Sequence, residues 1–344
     1  MEPSVPLLEA VPAPPPRSPW TEAWRRLRRN RMALASLAVI VLYALVTLGA
    51  PLLPVHPYAE QVVAHENLPP SLRPAGELML AARTSYLRRL AVAEGRAASG
   101  RERQELAAMA RAVRADPVHR RHYLLGTDSL GRDMLSRLLY GGRVSILIGL
   151  VGTITSMVLG IILGSLAGYL GGAVDSLIMR TVDILYGLPY MLLVIILMAL
   201  FGRSMVNLFA ALALISWLTL CRVVRGQVIS LKHAEFVQAA RSMGAGTARI
   251  IFRHFTPNTL GVVVVFSTLM VPQFIMAESF LSFLGLGVSA PLASWGSLVA
   301  DGAGVMSLYP WQLVGPAAAM TVFLFAMNFL GDGLRDALDP QQRT

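Results

Sequence analysis

Several stretches of this chain run for close to twenty residues with almost no charge. A helix of about 20 apolar residues crosses the roughly 30 Å hydrocarbon layer of a bilayer. Backbone groups in that layer must satisfy one another, so a spanning segment is held to regular structure. The chain is predicted to be an all-α, polytopic membrane protein. Composition agrees: 55% of its 344 residues are hydrophobic and 15% are charged, with mean hydropathy +0.57.

Six spans are expected, at about 32–53, 144–169, 184–201, 205–221, 260–284 and 313–330. Residues 1–19, with Pro12, Pro14, Pro15 and Pro16 close together, have little to bury and are expected to be a disordered tail. Residues 20–31 form an amphipathic segment that Thr21 can cap. Its Trp20, Trp24 and Leu27 fall on one side, among Arg25, Arg26, Arg28, Arg29 and Arg31. That pattern suits a helix in the membrane interface. It equally suits the basic flank of a first span, and the two readings are compatible. Residues 54–142 form a long polar segment. Within it, residues 76–115 read as a helical hairpin turning at Gly95 and Gly100. A docking surface and a plain solvated insertion are both open, the second being the simpler. Residues 130–139 form an amphipathic helix leading into the second span, with Thr127 or Asp128 at its start and Arg132 and Arg137 off its apolar face. Asp128, Arg132 and Asp133 are explained by capping and surface pairing more simply than by a ligand. Residues 143–334 make a five-helix core, and 335–344 a short polar tail.

Basic residues give the topology. The loop 222–258 carries Arg222, Arg225, Lys232, Arg241, Arg249 and Arg253 against one acid, Glu235. The loop after the fifth span carries no Lys or Arg. The first is therefore cytoplasmic and the second external. Six spans then put both termini in the cytoplasm, which the arginine cluster before the first span supports independently. The formal net charge of +10 thus marks cytoplasmic loops and headgroup contacts rather than nucleic acid.

Two kinds of chemistry are missing. Cys221 is the only cysteine, so the chain has neither an intrachain disulfide nor a multi-cysteine metal site. Lys232 is the only lysine, and no glycine-rich P-loop precedes it. A chain driven by ATP would need another subunit as its motor.

Within the spans, Gly160, Gly164 and Gly168 stack on one helix face, where a neighbouring backbone can approach. A hinge is the other use of such glycines; packing is the better reading. Glu278 is the candidate for a pore or external-gate group in the fifth span, paired with an arginine or reaching pore water.

The longest connection between spans is the most informative. EFVQAARSMGAGTARIIFRHFTPN, residues 235–258, is basic and broken by Gly244, Ala245 and Gly246. It reads as a helix, a glycine joint and a second helix capped by Thr247. Thr256 caps again, and Pro257 suits the first turn of the fifth span. Ala239, Ala240 and Gly244 leave a shallow surface. That surface either receives a partner protein or packs on the chain's own spans, and the residue types do not separate the two.

This stretch resembles the cytoplasmic loop of ABC-importer permeases, written E-A-A, three residues, G, nine residues, I-x-L-P. Gln238, Ala239 and Ala240 sit at the E-A-A positions, Gly244 at the glycine, and His254, Thr256 and Pro257 at the final three. LGTDSLGRDMLSRLLYGGRVSILIGL, AESFLSFLGLG, SWGSLVADG and GDGLRDALDP resemble the C-type permease of dipeptide and oligopeptide importers, in order. The resemblance implies the type I importer permease fold in a bacterial inner membrane, and a pore shared with a homologous B-type permease. It implies two ATP-binding subunits that carry ATP and Mg, an extracytoplasmic binding protein, and no cofactor in this chain. Glu235, Gln238, Ala239, Ala240, Gly244, Ala245, Gly246 and Arg249 would then meet the ATPase, with Thr256 and Pro257 leading into the span. Gln238 departs from the pattern by lacking glutamate's charge, and Thr256 replaces leucine. Such permeases carry peptides, or nickel and other small solutes. Two other classes fit less well. A secondary transporter would lean on Glu278. An intramembrane enzyme would need an HExxH or paired aspartates, and neither is present.

Overall fold

The computed structural model describes residues 19–97 and 99–338; the proline-rich residues 1–18 and the last six residues of the expected tail lie outside these. The helices are α1 Pro19–Arg29, α2 Arg31–Leu48, α3 Ala75–Ala93, α4 Gly100–Ala115, α5 Met134–Leu170, α6 Gly172–Tyr186, α7 Tyr190–Phe201, α8 Met205–Leu231, α9 Glu235–Ser242, α10 Thr247–Ile250, α11 Thr256–Phe283, α12 Trp295–Val305 and α13 Trp311–Leu338. Among the described residues there is no strand, only isolated bridges of Pro74 with His122 and Thr127 with Asp133. By length and apolar character, α2, α5, α8, the run Thr247–Phe283 and α13 can each cross a membrane. Helices α6 and α7 pass the same test only together, bent by 86°.

That bend corrects the single third span. Pro189 begins α7 and pushes Leu188 out of the helical region, so the chain breaks there instead of kinking. Other boundaries move as well. Helix α1 starts at Pro19, where a missing N–H costs nothing, so Thr21 lies inside its first turn. Asn30 caps α2 through its side chain, 3.1 Å from the Ala33 N–H. Helix α5 is continuous: Asp133, rather than Thr127 or Asp128, caps it at 3.0 Å from the Leu135 N–H. No separate surface helix precedes the second span, and Leu130 falls in the turn before it. Helix α8 runs on to Leu231, so Arg222 and Arg225 are helical residues and not loop. Helix α13 runs through the GDGLRDAL of the expected tail.

The core forms where α5 meets α8. A β-carbon on Gly160 would lie 2.6 Å from Leu220 Cβ, one on Gly164 2.6 Å from the Cys221 carbonyl oxygen, and one on Gly168 2.9 Å from the Arg225 carbonyl oxygen. The three missing side chains thus let one helix lie against the backbone of the other. Gly149 and Gly152 do the same towards Val271 and Phe274 of α11. A second cluster joins Val271, Ile275, Phe323 and Met327 around Trp295, with Tyr43 packed against it. Trp295 is pinned by its indole N–H on the Leu138 carbonyl at 3.1 Å and by its backbone N–H on Ser145 Oγ at 2.9 Å.

The segment between α2 and α5 is polar. Helices α3 and α4 pair antiparallel, with Arg83 on Glu105 and Arg96 on Glu102. A Ser99–Glu102 capping box starts α4. The hairpin's base is clasped by His65, which is fully buried. Its ring contacts Tyr123 Oη at 2.9 Å and His119 Nδ1 at 2.8 Å. Burial first, and then the nearby His119 and Arg121, push the His65 imidazole down from 6.5 to about 4.

Two predictions follow from packing and charge here. Gly164→Ala forces a methyl onto a backbone oxygen and is expected to cost about 1–3 kcal/mol. Gly226→Ala, in open space on α8, is expected to be neutral or to gain up to about 1 kcal/mol. Thermal unfolding in lipid nanodiscs compares them. As pH falls from 6.5 towards 4, the unfolded segment takes up a proton that folded His65 refuses, so the clasp loses stability through that window. Hydrogen exchange should show the amides of Val118–His122 less protected at pH 5 than at pH 7, and His65→Gln should flatten the difference.

Candidate functional site

At the end of α5 and α8 the chain folds back as a compact cap. Val237 of α9, Ile250 of α10, and Ile251 and Phe255 after it are buried in the core cluster, and Ala240 of α9 is buried as well. They hold the segment against Val224 and Val228 of α8 and Tyr169 of α5. Tyr169 meets Phe255 edge-on at 5.3 Å. It also accepts a bond from Arg241 Nε at 3.1 Å, beneath a guanidinium 4.8 Å from its ring. Phe236 stacks on His254 at 6.3 Å.

Helix α9 ends in a Schellman motif. The Ala245 N–H bonds the Ala240 carbonyl and the Gly244 N–H bonds the Arg241 carbonyl. Gly244 has φ +80, which a side chain would strain. The second helix differs from expectation. Gly246, not Thr247, holds the cap position, and no side chain caps it. Residues Ile251–Phe255 form a π-turn that passes directly into α11. Thr256 is therefore no cap: its hydroxyl donates to the Ile251 carbonyl at 3.0 Å, within a continuous run. The Thr256 backbone N–H bonds the same carbonyl, so the run is closed without a cap.

The sequence candidates divide between two faces. Glu235, Gln238, Ala239, Gly244, Gly246 and Arg249 are exposed, while Ala240 is buried and Ala245 packs inward. The Gln238 amide bonds the His233 carbonyl at 2.9 Å, closing the start of α9 on itself. Met243 and Phe252 are apolar side chains held out from the same surface, 80% and 60% exposed. Neither Gly244 nor Gly246 has any atom within 4 Å of an added β-carbon. The result is a shallow surface backed by a rigid cap.

A cleft of about 390 Å³ opens beside the α6–α7 break. Tyr186, Tyr190, Ser216, Thr219 and Gln273 give it uncharged polar groups on an otherwise apolar wall from α8 and α11. Tyr186 Oη and Thr219 Oγ1 are 2.7 Å apart. Arg222 lies over the Tyr186 ring at 4.2 Å and pairs with Asp183 at 2.6 Å. Asp175 and Arg225 tie α6 to α8 one turn further on. These pairs are not legible in sequence, since nothing local relates residues 39 and 50 apart.

Glu278 does not reach solvent in this chain. It is fully buried, and its Oε1 accepts bonds from the hydroxyls of Ser282 and Ser294, each at 2.6 Å. No arginine pairs with it among the described residues, and Oε2 has no hydrogen-bond partner. It holds the start of α12 onto α11: a β-carbon at Gly296 would lie 2.7 Å from Oε2. No group of three or more His, Cys, Asp or Glu is placed to hold a metal among the described residues.

A polytopic helical bundle with a broken span, a lateral cleft and a rigid cap at one end is the architecture of a membrane transport subunit. Residues 160–344 match the family described as the binding-protein-dependent transport system inner membrane component, and residues 18–70 match the N-terminal TM domain of oligopeptide transport permease C. The chain is 43% identical over 327 residues to the oligopeptide transport system permease protein OppC of Escherichia coli K12, covering 95% of this chain and 93% of that protein. It is 38% identical over 323 residues to the dipeptide transport system permease protein DppC of Bacillus subtilis, covering 94% and 86%. The chain belongs to the family of inner membrane components of binding-protein-dependent transport systems. Its role there is that of a permease, which is not enzymatic.

The Schellman turn makes a prediction that separates two neighbouring glycines. Gly244→Ala places a side chain at positive φ and is expected to cost about 1–2 kcal/mol locally. Gly246→Ala, at φ −71, is expected to cost little. Hydrogen exchange across 239–250 in the full chain reads the difference directly.

Proposed function

We propose that this chain is one permease half of an ATP-driven peptide importer. The observation that carries the coupling role is the exposed α9–Gly244–α10 surface on a cap wedged between α5, α8 and α11. A separate ATP-binding subunit docks there, with ATP and Mg held by that subunit and its twin. Glu235, Gln238, Ala239, Gly244, Gly246 and Arg249 meet it, while Ala240 and Ala245 hold the surface in place. Gln238 contributes through its length and amide, not through charge. Met243 and Phe252 supply the apolar contacts that such an interface needs.

The cleft beside the α6–α7 break is this chain's half of the pathway, and a homologous second permease closes it. Broken spans beside a cavity are where membrane transporters place their cargo. Uncharged hydroxyls, an amide and tyrosines suit peptide backbone, which offers donors and acceptors without net charge. The names of the relatives support dipeptides or oligopeptides as cargo. An extracytoplasmic binding protein delivers them at the end carrying α3, α4 and α12. The basic loop between α8 and α11 supports a cytoplasmic cap, with both termini on that side of a bacterial inner membrane. Nucleic acid has no part in this.

Ala239→Trp tests the surface, since Ala239 is exposed and the change asks nothing of the fold. In proteoliposomes holding all subunits, peptide uptake is expected to fall by about tenfold or more, equivalent to about 1.4 kcal/mol of lost coupling, with the unfolding temperature unchanged. Full uptake by the variant, or uptake by this chain alone down an ion gradient, would overturn the reading.

A further inference from the structure

The end of the molecule opposite the cap holds a second cavity, of about 230 Å³, between the start of α5, α12 and the start of α13. Asp128, Arg132, Arg137, Asp301 and Gln312 line it. It has room for about seven waters at the liquid's share of volume, or for one end of a peptide, but not for a longer ligand.

Its buried charges do not balance, because the second carboxylate of the lining, Asp301, stands at the exposed edge. Arg132 and Arg137 are both buried, and both lean on one buried carboxylate. Asp128 Oδ2 takes Arg132 Nε and Arg137 Nη1, each at 2.6 Å. Asp128 Oδ1 takes the backbone N–H groups of Leu130 and Arg132, each at 2.9 Å. All four lone-pair sites of that carboxylate are therefore in use. Arg137 keeps donors to spare. Its Nε is buried with no hydrogen-bond partner. Its Nη2 lies 3.6 Å from Asp301, a carboxylate that is 62% exposed. Two buried guanidinium groups thus face one saturated buried carboxylate, and a buried charge without a matching partner is costly.

We propose that this cavity binds a single carboxylate group, the free C-terminal end of a short peptide. A bound carboxylate would take the place of the exposed Asp301 on Arg137, and its two oxygens match the fork of a guanidinium. A cation would find Asp128 already saturated by both arginines and only the exposed Asp301 open to it. Naming a peptide's end as the source rests on the transport reading above; the carboxylate chemistry does not. Arg137 is the anchoring residue, and exposed Asp301 is its rival for that guanidinium.

Calorimetry on the purified full chain in nanodiscs, with N-acetylglycine and its neutral analogue N-acetylglycinamide, tests the site. The acid is expected to bind at least about tenfold more tightly, because charge-assisted bonds are roughly twice as strong as neutral ones. Arg137→Gln should abolish the preference. Asp301→Asn, at an exposed position that the fold does not need, should tighten binding by about threefold, the worth of an exposed ion pair. Equal binding of acid and amide, weaker binding by Asp301→Asn, or a preference for inorganic phosphate would overturn the proposal. A peptide blocked at both ends with one internal glutamate separates the sources of the group. Its failure to displace N-acetylglycine supports a terminal carboxylate, and equal displacement overturns that assignment. Peptide uptake by the whole complex without any binding here would sink this site and leave the transport reading standing; binding here without peptide uptake would do the reverse.

Discussion

The close approach of α5 to α8 is the contact on which the rest of the structure depends. Helices in lipid gain little from hiding apolar surface, because the surrounding tails are equally apolar. They associate where backbones can come near, and Gly160, Gly164 and Gly168 provide that along three turns of α5. The seam fixes the far end of α8, which is where the cap is built. Val224, Val228 and Tyr169 belong to that end, and Val237, Ile250 and Phe255 are buried against it. With the seam loosened, the exposed face of α9 would have no fixed platform. The same seam places Ile215 and Thr219 at the wall of the cleft. One packing feature therefore positions both the proposed coupling surface and the proposed pathway.

The bilayer's demand that backbone groups be satisfied explains where regular structure fails. The chain departs from a straight span at 187–189, at the π-turn Ile251–Phe255 and between α11 and α12. Each departure has a local remedy. At the first, the Gly187 and Leu188 N–H groups bond the Asp183 and Leu185 carbonyls, and Pro189 has no N–H to satisfy. At the second, the Ile251 carbonyl takes both the backbone N–H and the hydroxyl of Thr256. At the third, the Ser294–Ser297 capping box and the Glu278 carboxylate close the start of α12. Glu278 thus has a structural explanation that its position in the sequence concealed. An ionisable residue in an apolar run reads as a functional group, yet here two serine hydroxyls surround it.

What was legible in the sequence follows from which signals are local. Long uncharged runs and a three-glycine stripe are local, so the spans and their packing face could be read directly. The glycine break at 244–246 is local too, and it marked the joint of the cap. The misplaced boundaries came from polar residues that sit inside helices. Arg222 and Arg225 looked like loop because they are charged, but each pairs with an aspartate of α6 and remains helical. Thr21, Thr247 and Thr256 looked like caps because threonine caps well. None does so, because Pro19, Gly246 and the π-turn already settle those ends. In sequence, Asp128, Arg132 and Asp133 read as capping and surface pairing, and Arg137 only as a residue off the apolar face. The missing information was tertiary: only folding brings α12 and α13 over them and takes them out of water.

The run Thr247–Phe283 joins these parts into one mechanical element. A helix of 37 residues is about 55 Å long at 1.5 Å per residue. At one end it carries the cap, through Ile250 and Phe255. At mid-length it lines the cleft with Phe266, Met270 and Gln273. At the other end Glu278 grips Ser294 and so fixes α12, whose Asp301 borders the cavity of unmatched arginines. A displacement of the cap by an ATPase subunit would act on this rod at its base, at the π-turn, where the hydrogen-bond ladder is already irregular. The tilt of the rod would change the width of the cleft, and its far end would move α12 relative to Arg137. On that geometry, release of a bound carboxylate and opening of the pathway are two consequences of one rigid-body motion, and no separate signal between them is required.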